Sequence, residues 1–366
     1  MVSLSTKIVA GVATVAVVGG VAFALNNKGT KKSSDGGSYK VAMITDGAQT
    51  VQDRSFNQIT WEGLQAWGKE NNVKQGQGYN YFLSKSPSDF DQNFKLAQKG
   101  GYDMQAGIGF SLNNAVKKAA KANPKTDYVL VDDIITGQKN VTSLMFRSEE
   151  SSYLAGVAAA TKAKEIGDHQ VGFIGGIIGP VIDRFQAGYV EGVKSVDPNI
   201  KVNVVYANSY SDAAKGNTIA KAMITNGNHV IFTAAGSVGN GVFTAAKQDN
   251  ALLNADSKDR VYIIGVDMDQ TEDGAYTSKD GKNETSTLTS SLTQVGNALK
   301  DTANKGKSGK LQGGTTVWYG LKEKGVGVTT KNLSPEELKA VNEAQDKILD
   351  GSLKVNAKPE SYKAGQ

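Results

Sequence analysis

Two short runs near the start of the chain decide the fold: KVAMITDG at Lys40–Gly47 and, after a polar loop, DRSFNQ at Asp53–Gln58. The apolar part of the first run predicts a buried strand that stops at Asp46. The second run opens with a residue type that often caps helices, so it predicts a helix start. A strand, a polar turn and a helix make up the first unit of an α/β domain, and ligands of such folds bind at that turn.

The loop and the predicted helix start carry an aromatic ring, carboxylates, a hydroxyl and an amide close together in sequence. Phe56 can stack on a flat ring of a ligand. The short polar side chains of Asp46, Ser55 and Asn57 can bind ring edges and hydroxyls. A simpler interpretation makes Asp53 the helix cap and Phe56 part of the core, and this stretch alone leaves both interpretations open.

The alternation of strand and helix patterns continues along the chain. From Tyr39 to Phe146, short apolar runs alternate with amphipathic segments, and a second series follows the clear helix pattern at Glu149–Lys164 and extends to Val266. The two series predict two α/β halves, each with a parallel sheet covered on both faces. A chain of 366 residues is also too long for one ordinary core, which favours two domains.

The C-terminal part does not predict a third domain. Thr285–Leu292 is interpreted as a return crossing to the first half, and a last helix is predicted after Ser334. Several crossings make a hinge, so the predicted fold class is α/β with two lobes, each a doubly wound parallel sheet. The predicted boundaries are a first lobe at 39–147 with a return segment at 290–330, a second lobe at 148–268, and a C-terminal helix and tail at 331–366.

The N-terminus carries an apolar stretch, Ile8–Leu25, followed by a polar run rich in Asn, Gly, Lys and Ser. We interpret residues 1–25 as an export signal or membrane anchor and residues 26–38 as a flexible linker. The alternative is a buried core helix, but a segment that is apolar on every face beside such a linker has no core to enter. The globular part is therefore expected at the extracytoplasmic face of the cell membrane.

The composition argues against several kinds of chemistry. The chain has no cysteine, which excludes thiol catalysis, disulfides and cysteine-based metal centres. Its two histidines, His169 and His229, lack the spacing of metal ligands, and with so few histidines a hydrolase triad has little support. The net charge of +5 is small and is expected to be scattered along the chain, which disfavours nucleic acid as a partner. No cofactor or metal is predicted.

Four predicted turns follow strand ends, where open α/β sheets bind ligands. They carry Asp46, Asp132, the glycine-rich loop around Gly236, and Asp267. The carboxylates can accept hydrogen bonds from sugar hydroxyls, and glycine lets backbone N–H groups approach a ligand closely. Each acid alone could instead be a cap or a salt-bridge partner. Asp132 and Asp267 could also form the carboxylate pair of a glycosidase acting on a ribosyl bond.

Eight runs, taken in order, resemble one known family. They are TDG (Thr45–Gly47), DRSFNQ (Asp53–Gln58), WEG (Trp61–Gly63), GIGF (Gly107–Phe110), YLAG (Tyr153–Gly156), FQAGYVEG (Phe185–Gly192), AGSVGNG (Ala235–Gly241) and GVD (Gly265–Asp267). From about residue 39 to 330 the chain resembles the basic membrane protein family, the substrate-binding lipoproteins of ABC importers that include purine nucleoside receptors. The DRSFN block is the most specific part of the resemblance.

The resemblance implies a type I periplasmic-binding-protein fold that holds a nucleoside in the cleft between its lobes. It implies that the base stacks between Phe56 and a second aromatic, which falls on Tyr210. The groups that it implies for the base and the ribose fall on Asp46, Asn57, Asp132, Gly236 and Asp267. It also implies partners, namely an ABC permease with its ATPase subunits.

Two positions depart from the family pattern. Thr293 stands where the family usually has a lysine that contacts the ribose, which leaves the sugar specificity open. The lipid-bearing cysteine is absent, so membrane attachment would depend on residues 1–25. The predicted function is a non-enzymatic receptor that binds a nucleoside for an ABC importer. The alternatives are a receptor for another small polar ligand, such as a sugar or a signalling molecule, and an extracytoplasmic nucleoside hydrolase.

Overall fold

The computed structural model describes residues 39–47 and 49–359, which belong to one compact unit. The predicted export segment at 1–25, the predicted linker at 26–38 and residues 360–366 of the predicted tail lie outside the described residues. Within the described ranges, no helix is both long and apolar enough to cross a membrane.

Strands and helices alternate in the first part of the described chain, as the hydrophobic pattern predicts. The elements are β1 (Val41–Thr45), α1 (Phe56–Glu70), β2 (Tyr79–Phe82), α2 (Phe90–Lys99), β3 (Met104–Ile108), α3 (Asn113–Ala122), β4 (Asp127–Val131) and β5 (Val141–Phe146).

A second α/β series follows directly. Its elements are α4 (Ser148–Ile166), β6 (Gln170–Gly175), α5 (Pro180–Val196), β7 (Lys201–Tyr206), α6 (Ala213–Thr225), β8 (Val230–Ala234), α7 (Val238–Asn250) and β9 (Tyr262–Asp267).

The C-terminal part adds strands and helices to both series. Its elements are β10 (Ala275–Thr277), β11 (Asn283–Thr285), β12 (Thr287–Thr293), α8 (Val295–Lys307), β13 (Thr315–Tyr319), β14 (Val326–Val328) and α9 (Pro335–Leu349). The predicted start of the last helix is confirmed, because Ser334 accepts a hydrogen bond from the backbone N–H of Glu337 and Pro335 occupies the first turn.

Two six-stranded sheets hold twelve of these strands, and β10 pairs with β11 in a separate two-stranded sheet. The first has the order β13-β5-β4-β3-β1-β2 and is parallel throughout. The second has the order β14-β12-β9-β8-β6-β7 and is parallel except where β14 pairs with β12. We call the half built on the first sheet the first lobe and the half built on the second sheet the second lobe. The predicted two-lobed α/β fold is confirmed.

Each face of the first sheet is covered by a different pair of helices. Side chains alternate between the faces of a strand, so Ala42 and Ile44 of β1 pack with α2 and α3. Val41 and Met43 point the other way and belong to the core that includes α1 and α8. All four side chains are completely buried, which explains why this strand reads as a continuous apolar run.

The C-terminal crossings differ from the prediction. The interpretation of Thr285–Leu292 as a return to the first lobe is wrong, because β12 pairs with β9 and β14 in the second sheet. The chain enters the first lobe only afterwards, where α8 packs on α1 and β13 pairs with β5. It then returns to the second sheet at β14, and α9 packs against α4. The part of 290–330 that joins the first lobe is therefore about 295–319.

The reason for this error lies in the hydroxyl-rich composition of β12. Two of its buried hydroxyls find partners inside the second lobe: Ser291 Oγ donates to Ser151 Oγ at 2.9 Å, and Thr289 Oγ1 donates to the Thr329 carbonyl at 2.6 Å. A strand held in place by side-chain hydrogen bonds carries no apolar pattern that would identify its neighbours.

Candidate functional site

The start of α1 is fixed by Asp53. One carboxylate oxygen accepts the N–H groups of Ser55 and Gln58 at 3.0 and 3.1 Å, and the other accepts the N–H of Asn57 at 3.1 Å. These bonds satisfy N–H groups that have no partner inside the helix. The simpler interpretation is therefore right for Asp53, which caps the helix. Phe56 is the first residue of α1, and its half-buried ring lines a cleft between the lobes.

The amide of Asn57 is oriented by the same aspartate. Its Nδ2 donates to Asp53 Oδ2 at 2.8 Å, which fixes the plane of the amide. The other end of the amide, Oδ1, is buried and has no hydrogen-bond partner among the described residues. A buried amide oxygen without a donor is costly, and a ligand N–H or O–H would satisfy it. Asn57 lines the cleft, as the prediction requires.

Asp46 follows β1 and lies at the same cleft. Ser111 donates a short hydrogen bond to Asp46 Oδ1. Burial raises the pKa of Asp46, and the hydrogen bonds from Ser111 partly oppose this rise because they stabilise the charged form. Next to it, Gly109 has φ +121°, and a side chain there would meet Asp46 Oδ2 at 2.4 Å, so only glycine fits.

The second lobe contributes Tyr210 and Gly236 to the cleft. The Tyr210 hydroxyl donates to the Ile177 carbonyl at 3.4 Å, and its pKa is raised first by burial and then by the nearby carboxylates of Asp46 and Asp132. Gly236 has φ +57°, and a Cβ there would lie 3.0 Å from the Tyr210 carbonyl oxygen. Glycine thus allows the loop after β8 to approach the backbone that carries Tyr210.

Asp132 and Asp267 occupy matching places at the ends of β4 and β9. Both have φ 67°, a left-handed conformation that is uncommon outside glycine and that Asp tolerates better than most residues. Such strained backbone tends to occur at ligand sites, where the surrounding structure holds it in place. Both side chains line the cleft, so these two turns aim carboxylates into the same space from opposite lobes.

The pKa values of these two carboxyl groups are strongly perturbed. Burial, followed by repulsion from Asp267, raises the pKa of Asp132 to about 7, and Arg184 opposes this rise. Burial raises the pKa of Asp267 to about 6, while hydrogen bonding from the hydroxyls of Ser55 and Thr293 opposes it. The cleft therefore holds carboxyl groups that change protonation close to neutral pH.

The cleft is large enough for a small organic ligand. The space between its walls, counted together with its open mouth, is about 1030 Å³. Seven of the eight predicted residues line it, and they come from both lobes: Asp46, Phe56, Asn57, Asp132, Tyr210, Gly236 and Asp267.

Ser55 is placed differently from the prediction. It does not line the cleft but is almost completely buried, and its Oγ donates to Asp267 Oδ2 at 2.6 Å. A hydroxyl of the first lobe thus holds a carboxylate of the second lobe. We expect Ser55 to act through Asp267 and not by contact with the ligand, because a charge-assisted hydrogen bond of this kind fixes the orientation of the carboxylate.

Two further contacts join the lobes beside this hydrogen bond. Gln270 Nε2 donates to the carbonyl of Arg54 at 3.0 Å, and the Arg54 guanidinium forms an ion pair with Asp273. The residues of the first lobe in these contacts come from the loop that leads into α1, and those of the second lobe follow β9. We call these three contacts, including the one between Ser55 and Asp267, the interlobe clasp. The clasp contains the cleft residue Asp267 and lies next to the cleft residue Phe56.

Several residues that line the cleft were not predicted to contact the ligand. They include Phe110, Ser148, Phe185, Ser211 and Thr293. Two of them, Phe110 and Phe185, lay within the runs that carried the family resemblance, and Phe110 lies two residues after the end of β3, so its position was a usable signal. Thr293 ends β12, and its cleft position agrees with its place in the family pattern. Among the described residues, no group of three or more His, Cys, Asp or Glu side chains is arranged to hold a metal ion.

Comparison with known proteins gives consistent results. The family model described as "ABC transporter substrate-binding protein PnrA-like" (Bmp) matches residues 39–359. The chain is 51% identical over 319 residues to "ABC transporter nucleoside-binding protein BmpA" of Lactococcus lactis subsp. cremoris, covering 87% of this chain and 89% of that protein. It is 32% identical to "Basic membrane protein A" of Borreliella burgdorferi, and the alignment covers 88% of this chain and 89% of that protein.

Solved structures support the fold. The crystal structure of an ABC transporter solute-binding protein from Aeropyrum pernix K1 aligns with a TM-score of 0.73 at 22% identity. The alignment covers 89% of this chain and 96% of that one. At this level of identity the likeness concerns the fold alone.

Proposed function

Because the chain belongs to the Bmp family of ABC transporter substrate-binding proteins, we propose that it binds a nucleoside between its lobes and delivers it to an ABC permease with ATPase subunits. In this proposal it acts as a non-enzymatic receptor at the extracytoplasmic face of the membrane, attached or exported through residues 1–25. The relative from Lactococcus lactis, which carries "nucleoside-binding" in its name, supports the choice of ligand.

One observation carries the proposal: aromatic rings from both lobes line the same cleft as three carboxylates at strand ends. Phe56 comes from the first lobe and Tyr210 from the second, so closure brings rings to a ligand from two sides. A nucleobase offers a flat face to such rings, and each base–aromatic stack contributes ~1–3 kcal/mol. The ribose hydroxyls and the base edge supply donors for the carboxylates and for Asn57 Oδ1.

Two alternative functions would use the same cleft. A sugar receptor would use the carboxylates but would have no base to place against Phe56 and Tyr210. A nucleoside hydrolase would use Asp132 and Asp267 as acid and base, and their raised pKa values suit general acid–base catalysis. Burial and repulsion produce the same pKa values in a receptor, so the pKa values do not separate the two functions.

Equilibrium dialysis separates all three. The protein is dialysed against inosine and, separately, against ribose, and both chambers are then analysed by chromatography. The proposal predicts that inosine accumulates with the protein and is recovered intact, whereas ribose does not accumulate. Free hypoxanthine would identify a hydrolase, and retention of ribose equal to that of inosine would identify a sugar receptor.

Variants of Tyr210 supply the matched control. Tyr210→Phe keeps the ring and loses only the hydroxyl, whose hydrogen bond to Ile177 is long at 3.4 Å. Tyr210→Ala removes the ring. We expect the Phe variant to retain inosine nearly as well as the native protein and the Ala variant to lose most of the retention. Equal retention by both variants would contradict the stacking role of this residue.

A further inference from the structure

One face of the first lobe is strongly basic. Residues 90–125 contain six lysines but only two aspartates, although the whole chain has a net charge of only +5. The expectation that positive charge is scattered along the chain is therefore wrong for this segment. All six side chains are exposed, and we call them the lysine face: Lys95 and Lys99 of α2, Lys117, Lys118 and Lys121 of α3, and Lys125 just after it.

Three members of the lysine face border a groove between α2 and α3. Lys95, Lys99 and Lys118 line it, and its floor contains Phe94 and Ala119. Within the described chain, Lys118 forms an ion pair with Asp91, while the other five lysines of the face form none. The neighbouring Leu96 of α2 is 45% exposed. The surface thus combines uncompensated positive charge with accessible apolar groups.

This surface lies where the chain leaves the described structure towards its N-terminus. The backbone N–H of Lys40 donates to Asp103 Oδ2 at 2.8 Å, and the Tyr39 hydroxyl contacts Asp127 Oδ2 at 3.4 Å. Asp103 follows Lys99 by four residues, and Asp127 follows Lys125 by two. Because the strands of the first sheet are parallel, the C-terminal ends of α2 and α3 share this edge, whereas the cleft lies at the opposite, carboxyl edge.

We propose that the lysine face docks the first lobe on a bilayer that contains anionic phospholipid. The inference rests on the proposed location outside the membrane, with residues 1–25 as the attachment. Thirteen residues separate Leu25 from Tyr39, and a chain of that length spans at most ~45 Å. The lobe is thereby kept near the bilayer, and its basic edge is the one closest to the tether. Lipid phosphates attract the lysines, and Leu96 adds apolar contact at the interface.

The bilayer fits these features better than a soluble anion does. A single phosphate would be held by converging donors in a closed site, whereas these six lysines are exposed and spread over two helices and the turn after them. A flat, multivalent layer of phosphates can engage all of them together. Docking at this edge also leaves the cleft accessible, because the cleft opens at the other end of the sheet.

Fluorescence energy transfer with the full-length protein tests the proposal. The chain has no cysteine, so Ala122→Cys places a single donor fluorophore on an exposed position of the groove, and Leu252→Cys, 72% exposed, places one on the second lobe. Vesicles carry an acceptor on the lipid headgroup and consist of phosphatidylcholine alone or with one third phosphatidylglycerol. We expect phosphatidylglycerol to increase transfer from position 122 far more than from position 252, and added salt to reverse the increase.

Charge variants supply the matched comparison. Lys95→Gln, Lys99→Gln and Lys121→Gln are combined in one protein, and Lys258→Gln, Lys279→Gln and Lys354→Gln, all at exposed positions elsewhere, are combined in another. Each lysine of the face should contribute roughly fivefold to the docked fraction, so the first triple variant should lower the ratio of docked to undocked protein by on the order of 100-fold. The second triple variant should dock as the native protein does.

Three results would overturn the proposal: equal transfer with both kinds of vesicle, equal loss of transfer in both triple variants, or lysine-dependent binding of soluble polyphosphate without any approach to the vesicles. The last result would assign the face to a soluble polyanion. Nucleoside binding is measured on the same samples and should be identical in all of them. A protein that docks without binding nucleosides would refute the proposed ligand and leave the docking surface intact.

Discussion

Nucleoside affinity should fall on acidification, chiefly through Asp132. Burial and repulsion from Asp267 raise the pKa of this carboxyl to about 7, so a proton neutralises it at mildly acidic pH. Hydroxyl and N–H donors of a ligand bind the ionised carboxylate, and binding should therefore release the proton. When only a fraction of the protein is in the form that binds the ligand, here the form with ionised Asp132, the apparent affinity is lowered in proportion to that fraction.

The size of the effect follows from the pKa value. If one ionised Asp132 is required, the affinity should fall about ninetyfold between pH 8 and pH 5, because the ionised fraction drops from about nine tenths to about one hundredth. Asp267, with a pKa of about 6, would add about tenfold if it too must be ionised. In Asp132→Asn the affinity at pH 8 should be lower than in the native protein, since a charged acceptor is lost. The affinity of this variant should depend less steeply on pH, because only the ionisation of Asp267 remains.

Calorimetry with adenosine across this pH range measures the effect. Titrations in buffers with different ionisation enthalpies give the number of protons released, which should approach one at pH 6 for the native protein and decrease in Asp132→Asn. The ligand-free protein provides a second readout. A carboxyl with a raised folded-state pKa stabilises the fold below its unfolded value of 3.8, and that contribution is lost as the pH rises through about 7. An affinity that is the same at pH 5 and pH 8 would refute the assignment of Asp132 as an ionised ligand acceptor.

Three other substitutions test separate parts of the account. Phe56→Ala should weaken nucleoside binding by ~1–3 kcal/mol in calorimetry, whereas unchanged affinity would remove this ring from the site. Arg54→Ala breaks the ion pair of the interlobe clasp with Asp273. Because the Arg54 side chain is 54% exposed, the pair contributes only ~0–1 kcal/mol, so stopped-flow kinetics should show ligand release a few-fold faster with almost no change in melting temperature. Slower release would contradict a closing role. Lys162→Ala leaves the completely buried Glu337, 3.0 Å away, without its cation and should destabilise the fold by ~3–5 kcal/mol in denaturant unfolding, while Lys164→Ala serves as an exposed control.

The sequence predicted the parts of the site that depend on strand ends. Asp46, Asp132 and Asp267 could be located because a buried apolar run ends just before or at each of them, and the carboxyl ends of parallel strands define the ligand edge of a sheet. Gly236 followed from the same rule. Tyr210 came only from the family resemblance, because it lies in a loop without a strand-end or helical pattern.

What the sequence did not predict depends on contacts between distant segments. Ser55 and Asp267 are 212 positions apart, so no local pattern indicates that the hydroxyl binds the carboxylate and not the ligand. The neighbours of β12 were missed because its buried Ser and Thr side chains resemble a surface segment in composition. The excess of lysine in residues 90–125 is visible in the sequence, but the groove between α2 and α3 that its side chains border exists only in the fold.

Calorimetric titration of the protein with adenosine, guanosine, uridine, cytidine and ribose shows whether the cleft recognises nucleosides. We expect saturable binding of at least one nucleoside, one molecule per chain, and no binding of ribose, because ribose alone offers no flat ring to Phe56 and Tyr210. The ranking of the four nucleosides would define the specificity that Thr293 leaves open. Binding of ribose as tight as that of any nucleoside, or binding of none of the five compounds, would contradict the claim that this cleft recognises nucleosides.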